Sequence, residues 1–417
     1  MIQERNTVIS MSMNNLIVGQ SGGPTAVINS SLYGVVSEGL RQPSIGTVYG
    51  MVNGIEGFLA GRVLSFEEAL PGQELEKLKT TPGAYLGSCR YKLPENLEDP
   101  VYPLLFQKFE DLGIGYFFYI GGNDSMDTVD KLSRYARIRR ETISFIGVPK
   151  TIDNDLPVTD HTPGYGSAAK YVASTVREIS LDASVYQQPA VTIVELMGRH
   201  AGWVTAASAL ARKYPGDNPL LIYMPEVPFS MEQFFKDVEQ ALSRQPNVVI
   251  CVSEGIRDKK GRFICEYTND AQIDTFGHKM LTGSGKYLEN LVKERLGVKV
   301  RSVELNVCQR CSCSHLSRVD LDEAVNAGVY AVQAALAGES GKMITFIRNK
   351  SVPYELSYST ADVNIICNKE KCVPLEWITN DGSDISDAFI DYVRPLTQGH
   401  VELPTKNGIP LFAYRKA

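Results

Sequence analysis

Two apolar runs, each closed by a polar cluster, constrain this chain more than any other feature of it. Residues 116–130 read YFFYIGGNDSMDTVD, and residues 144–157 read SFIGVPKTIDNDLP. Short continuous apolar runs that end in turn formers predict strands buried on both faces of a parallel sheet. In open α/β sheets, ligands bind just beyond the carboxyl ends of such strands. Gly121-Gly122-Asn123-Asp124-Ser125 and Lys150-Thr151-Ile152-Asp153-Asn154-Asp155 should therefore meet at one edge, with a helix over about 126–135 between the strands. Glycines, carboxylates and a lysine brought together suit phosphate groups and Mg²⁺. The pattern Asp153-Asn154-Asp155 reads either as a plain turn or as one base with a supporting carboxylate; a turn alone has no need of Lys150.

The same punctuation recurs along the chain. A strand over 15–19 runs into Gln20-Ser21-Gly22-Gly23-Pro24-Thr25 and a helix over 26–40, which makes either a phosphate cradle at a helix start or a tight connection. After a strand at 45–51, the glycine-rich stretch 83–90 carries Arg90, a surface charge or a phosphate clamp. Residues 162–167 lead into a helix over 168–181. Further strands at 190–197, 220–224, 248–252 and 298–305 deliver Gly198-Arg199, Pro225-Glu226, Ser253-Glu254-Gly255 and Gln309-Arg310 to their ends. A helix at about 203–213, another at 321–337 and a strand at 343–347 complete a strand-then-helix rhythm, which predicts the α/β class. No tandem repeat is present. The tail beyond residue 351, punctuated by Pro395, Pro404 and Pro410, receives no assignment.

A chain of 417 residues, 43% hydrophobic, is long enough for two or three domains. Its formal net charge of −6, without a long basic run, argues against general nucleic-acid binding, so an anionic substrate must be held by local cations. No apolar stretch reaches the ~18 residues of a membrane span. Residues 1–13 read as a disordered leader without a signal core. Eight scattered cysteines point to a reduced, cytoplasmic setting. Cys308, Cys311, Cys313 and His315 lack a second cysteine pair, and their spacing fits ordinary thiols better than zinc.

Nine blocks in order then give the chain a family likeness: GGPTAVIN from Gly22, GSCR from Gly87, GGNDS from Gly121, PKTIDND from Pro149, GYGSAAKY from Gly164, MGRHAGW from Met197, PEVPF from Pro225, SEG from Ser253 and QR from Gln309. Over about 15–349 the chain resembles the phosphofructokinases, and looks most like their pyrophosphate-dependent branch. The resemblance implies two Rossmann-like three-layer domains with mainly parallel sheets and the active site in the cleft between them. The larger, donor-binding domain would comprise 14–164 with 309–360, and the smaller, sugar-phosphate domain 165–308 with 361–417. The implied reaction moves a phosphoryl group to the 1-hydroxyl of fructose 6-phosphate.

By the same resemblance, Asp153 is the general base, and Thr151 steadies the transferring group. Thr151, Ile152, Asp153, Met197, Gly198, Arg199, Glu254, Val307 and Arg310 would bind the sugar phosphate, the Arg310 fork suiting the 6-phosphate. Arg301 matches an arginine that the family lends across a subunit interface. Gly22 and Arg90 match donor contacts, and Asn123, Asp124 and Asp155 fall at the Mg²⁺ position. Asn123 departs from the aspartate usual there. Ala190 stands where many ATP enzymes place a second subunit-crossing arginine, which favours a homodimer over their tetramer.

ATP-dependent members carry glycine where Asp124 and Lys150 stand. A carboxylate ~4 Å from a phosphate charge, at an effective dielectric of ~20, repels it by ~4 kcal/mol, close to a thousandfold in binding. Asp124 should thus exclude ATP and admit pyrophosphate, while Lys150 stabilises charge on the transferring and leaving phosphates. The rivals are an ATP-dependent enzyme and a non-catalytic subunit that binds sugar phosphate; retention of Asp153, Asp155, Arg199, Glu254 and Arg310 weighs against the second.

Overall fold

The computed structural model describes residues 14–185, 187–267 and 283–415. The expected leader at 1–13 lies outside them. Two sheets organise the chain. The first has seven strands in the order β11-β10-β5-β4-β1-β2-β3. Its centre is parallel: β1 (Asn14–Gln20), β2 (Ile45–Met51), β4 (Ile114–Gly121) and β5 (Ser144–Pro149). The edge strands β3 (Val63–Ser65) and β11 (Tyr354–Asp362) run antiparallel to β2 and to β10 (Lys342–Ser351), respectively. The second sheet is wholly parallel, in the order β7-β8-β6-β9, from β6 (Ala190–Leu196), β7 (Leu221–Tyr223), β8 (Asn247–Ser253) and β9 (Lys299–Glu304).

Burial explains why the apolar runs become central strands. Phe117, Phe118, Tyr119 and Ile120 are at most 1% exposed, because the first sheet is covered on both faces. One face packs on helices Ile28–Arg41 and Arg318–Leu336, through Leu32, Val35, Ala327 and Ala331. Helices Val101–Asp111 and Asn123–Arg139 cover the other, through Phe109, Met126 and Leu132. The second sheet is sandwiched likewise, between helix Tyr165–Ala183 with the C-terminal helix Asp387–Val393 on one side and helices Met231–Arg244 and Ser284–Leu296 on the other. The three-layer α/β expectation therefore holds twice over. Among the described residues, no helix is long and apolar enough to cross a membrane.

Three local readings change. The helix after β4 begins at Asn123, so Asn123 and Asp124 occupy its first turn rather than a loop; the positive end of the helix dipole favours the Asp124 carboxylate there. The helix expected through 213 is one turn, Trp203–Ala206, followed by a 3₁₀ segment Ala207–Ala211. The strand expected at 343–347 runs on to Ser351, and β11 folds back on it as a hairpin.

Candidate active site

The donor side is built from four chain segments at the carboxyl edge of the first sheet. Gly22 follows β1 with φ of 76°, a left-handed value that glycine adopts without strain. Its N–H donates to Cys89 O at 3.4 Å and its carbonyl accepts from Ser88 Oγ at 2.6 Å, which seats the loop bearing Arg90 beside it. Lys150, just past β5, is 3% exposed and donates from Nζ to Gly23 O at 2.6 Å. A Cβ added to Gly22 would lie 3.4 Å from that Nζ, and one added to Gly23 would lie 3.0 Å from Arg310 Nη1. Arg310 comes from the short helix Cys308–Cys311 that follows β9, so the second sheet reaches the donor loop here.

The Asp153 turn hangs from β5. The Asp153 N–H donates to Thr151 Oγ1 at 3.0 Å, and the Thr151 hydroxyl lies 3.3 Å from Asp153 Oδ2. Asn154 holds φ of 53° and is fixed at both ends of its amide: Oδ1 accepts from the Thr162 N–H at 3.1 Å and Nδ2 donates to Tyr392 Oη at 2.9 Å. Asp153 and Asp155 keep a little surface open to the cleft, but protein crowds them. Desolvation raises the Asp153 pKa, against its bond to Thr151 and the positive charges of Lys150, Arg310 and Arg199. Desolvation and then the Asp153 charge push Asp155 to about 7. Burial lowers Lys150 to about 8, opposed by both aspartates. A carboxylate pair and a lysine in mutual electrostatic reach are thus held where neither sign of charge is well solvated.

The sugar side comes from the second sheet. The loops after β6 and β8 press together so closely that a Cβ on Gly255 would lie 2.2 Å from Arg199 O. Gly198 N–H donates to Glu254 Oε1 at 3.4 Å, Glu254 N–H to Leu196 O at 2.8 Å, and Met197 N–H to Gln309 Oε1 at 3.3 Å. Desolvation, with Asp153 and Glu195 nearby, pushes Glu254 to about 8, and Arg199 pulls it back. Met197, Gly198, Arg199, Glu254 and Arg310 therefore form one cradle near the Asp153 turn.

Other expected residues stand apart from this cradle. Arg301 lies half-exposed on β9, 3.8 Å from Asp182 across a hollow lined by Ile179 and Val303. Val307 is 46% exposed, whereas the Ile152 side chain packs into the core. Asp124 is exposed on the first helical turn. Both ends of the Asn123 amide are engaged, Oδ1 by the Asn368 N–H and Nδ2 by Lys369 O. Among the described residues, no group of three or more His, Cys, Asp or Glu is arranged to hold a metal, the 308–315 cluster included.

Beneath the turn lies a network that sequence reading missed. His161, 1% exposed, bonds Asp160 Oδ1 at 2.7 Å and Glu323 Oε2 at 2.8 Å. Arg348 also reaches Asp160, and Tyr354 reaches Glu323. Tyr392 Oη, which accepts from Asn154, donates to Asp160 O at 2.8 Å. Burial lowers the His161 pKa, but Glu323 and Asp160 outweigh it and raise the group from 6.5 to about 9. Because the folded value is the higher one, the stabilisation, about 3 kcal/mol, is complete below pH ~6.5 and lost as pH rises through about 9. Denaturant unfolding at pH 6 and pH 9.5 should show that loss in the parent protein and not in His161→Gln; equal pH slopes would mean a neutral native imidazole.

Lysine, arginine and carboxylate groups from both sheets of this α/β fold thus converge on one aspartate turn, an arrangement suited to phosphate-bearing ligands. The comparisons narrow that reading. The model of the family described as "Phosphofructokinase" matches residues 15–352. The chain is 38% identical over 405 residues to the pyrophosphate–fructose 6-phosphate 1-phosphotransferase of Methylococcus capsulatus, covering 96% of this chain and 95% of that one. The crystal structure of the pyrophosphate-dependent phosphofructokinase from Marinobacter aquaeolei superposes with a TM-score of 0.86 at 37% identity, over 97% of this chain and 96% of that one. That of the Nitrosospira multiformis enzyme gives 0.88 at 34% identity, over 97% of both. The chain belongs to the phosphofructokinase family.

Proposed function

We propose that the protein transfers the distal phosphoryl group of pyrophosphate to the 1-hydroxyl of fructose 6-phosphate, giving fructose 1,6-bisphosphate and phosphate. The joint presence of Asp124 and buried Lys150 carries the choice of donor, and it agrees with the names of the relatives above. Asp153 takes the hydroxyl proton as the sugar oxygen attacks. Thr151 orients Asp153, while the Gly22 loop, Arg90 and Lys150 bind the pyrophosphate. Met197, Gly198, Arg199, Glu254 and Arg310 hold the sugar phosphate, with main-chain contact at Ile152 and an outer contact at Val307. Arg301, on an exposed face, serves the neighbouring cleft of a homodimer.

The acid groups fit Mg²⁺, which binds through one or two carboxylates plus substrate phosphates. Asp155 and Asp124 supply carboxylates, and mutual repulsion between Asp153 and Asp155 favours a cation beside them. Asn123 has only the second lone pair of an oxygen already bonded to the Asn368 N–H. When bound, Mg²⁺ offsets charge on the donor phosphates. The eight free cysteines suit a reducing cytoplasm.

A donor comparison on purified protein, with fructose 6-phosphate and Mg²⁺, tests the reading. Turnover with pyrophosphate and not ATP is expected; ATP preference, or sugar-phosphate binding without turnover on either donor, overturns it. Asp124→Gly should gain measurable ATP-dependent activity, since removing ~4 kcal/mol of repulsion is worth about a thousandfold in binding. Undetectable ATP use in that variant would show that Asp124 is not the sole barrier.

A further inference from the structure

Between β11 and the C-terminal helix, six residues bond to the helix that begins at Asn123, to the turn that carries Asp153 and to the segment that follows Arg199. The Asn368 N–H donates to Asn123 Oδ1, and Asn123 Nδ2 donates to Lys369 O at 2.5 Å. Asn368 Nδ2 adds a bond to Asp127 Oδ1 at 3.1 Å, one turn along the same helix. Lys371 then lies across the catalytic turn. Its N–H donates to Asp155 O at 2.7 Å, and its Nζ donates to Thr159 O at 3.0 Å and Asp160 O at 2.8 Å. Its carbonyl accepts from Trp203 Nε1 at 2.8 Å, directly after the Arg199 loop. Cys372 Sγ contacts His200 O at 3.6 Å, and the Val373 N–H donates to Glu226 Oε1 at 3.0 Å. That same oxygen accepts from the Gly202 N–H at 2.7 Å.

We propose that residues 368–373 are a positioning strap for phosphoryl transfer, with Asn123 and Lys371 as its positioning residues, holding the Asp153 turn in register with both the donor helix and the Arg199 loop. The inference rests on the phosphotransferase reading. It accounts for the amide at 123. The carboxamide accepts from the Asn368 N–H and donates to Lys369 O at once, whereas an aspartate carboxylate would lose the donation and set a negative charge against a carbonyl. It also accounts for Lys371, whose ammonium bonds two main-chain carbonyls of the segment that follows the base. Reacting groups displaced by ~1 Å can lose ~10²-fold in rate, and these bonds tie three segments of the cleft to one short stretch of chain.

The test uses the full chain with pyrophosphate, fructose 6-phosphate and Mg²⁺. Lys371→Met should lower kcat by about 10- to 100-fold with both KM values within about threefold, because the strap acts through alignment. Lys371→Arg, which keeps two donors, should recover most of kcat. Asn123→Asp should lower kcat about tenfold, bind Mg²⁺ no more tightly, and speed amide hydrogen exchange across 368–373 while the helix Asn123–Arg139 stays protected. Parent kcat in soluble, folded Lys371→Met overturns the strap. So does Asn123→Asp with tighter Mg²⁺ binding and unchanged turnover, which would make residue 123 a metal position. Failure of the functional reading looks different: the parent protein would lack pyrophosphate turnover. Hydrogen exchange would still judge the strap, and equal exchange in the parent and Asn123→Asp would overturn it.

Discussion

Asp153→Ser is expected to lower kcat with pyrophosphate by about 10³-fold while fructose 6-phosphate binding stays within a few-fold. General bases are worth ~10²–10⁴ in rate, and only an interaction confined to the transition state lowers kcat without raising KM. Asp153 has the two properties a base requires. Desolvation raises its proton affinity, and its bonds to Thr151 fix its direction. Lys150, Arg310 and Arg199 oppose that rise, which favours the ionised form a base needs. Turnover by Asp153→Ser near the parent value would remove Asp153 as the base, and an equal loss of sugar-phosphate binding would make it a binding residue instead. Stability should move the other way. A carboxyl whose folded pKa is raised stabilises fully only below its unfolded value, and that contribution is lost as pH rises through the folded value. Ionising Asp155 against the Asp153 charge as pH rises through about 7 therefore costs stability, and Asp153→Ser should unfold at a higher temperature than the parent at pH 8.

The parts of this site that were legible in the sequence are those where one short segment carries both the local structure and the chemistry. β4 and β5 end in turn formers because a buried parallel strand must leave its sheet abruptly, so Gly121 to Ser125 and Lys150 to Asp155 mark the edge by themselves. Block order then supplied the sugar side at Arg199, Glu254 and Arg310. What escaped is long-range. Asn123 and Asn368 are 245 positions apart, and no periodicity links them. Asn368-Lys369-Glu370-Lys371 reads as a solvated polar run, yet Lys371 serves as the link between the base turn and Trp203. His161 carries no motif; its charge follows from two carboxylates brought to it by separate segments. The β10–β11 hairpin escaped because the tail beyond residue 351 received no assignment, and Val352-Pro353 gives no signal of its own for pairing the strands on either side.

Lys150→Met should lower kcat with pyrophosphate by about 10²–10³-fold, the range for removing one preorganised donor from a developing oxyanion. The pH dependence separates its charge from its shape. Burial sets the free-enzyme pKa of Lys150 at about 8, so raising pH through that value removes the cation the donor must meet. The kcat/KM for pyrophosphate should accordingly fall about tenfold per pH unit above ~8. In kcat the same limb should lie higher, since bound pyrophosphate favours the protonated form. Burial also pushes Glu254 to about 8, but in the proposed reading it holds the sugar phosphate, so its ionisation should show in the kcat/KM for fructose 6-phosphate. Lys150→Arg resolves the two: a guanidinium stays charged across the range, so the alkaline limb for pyrophosphate should disappear while that for fructose 6-phosphate remains. A parent profile for pyrophosphate that is flat from pH 7 to about 9.5 would mean that the donor does not depend on this charge. Selection of pyrophosphate would then rest on Asp124 alone.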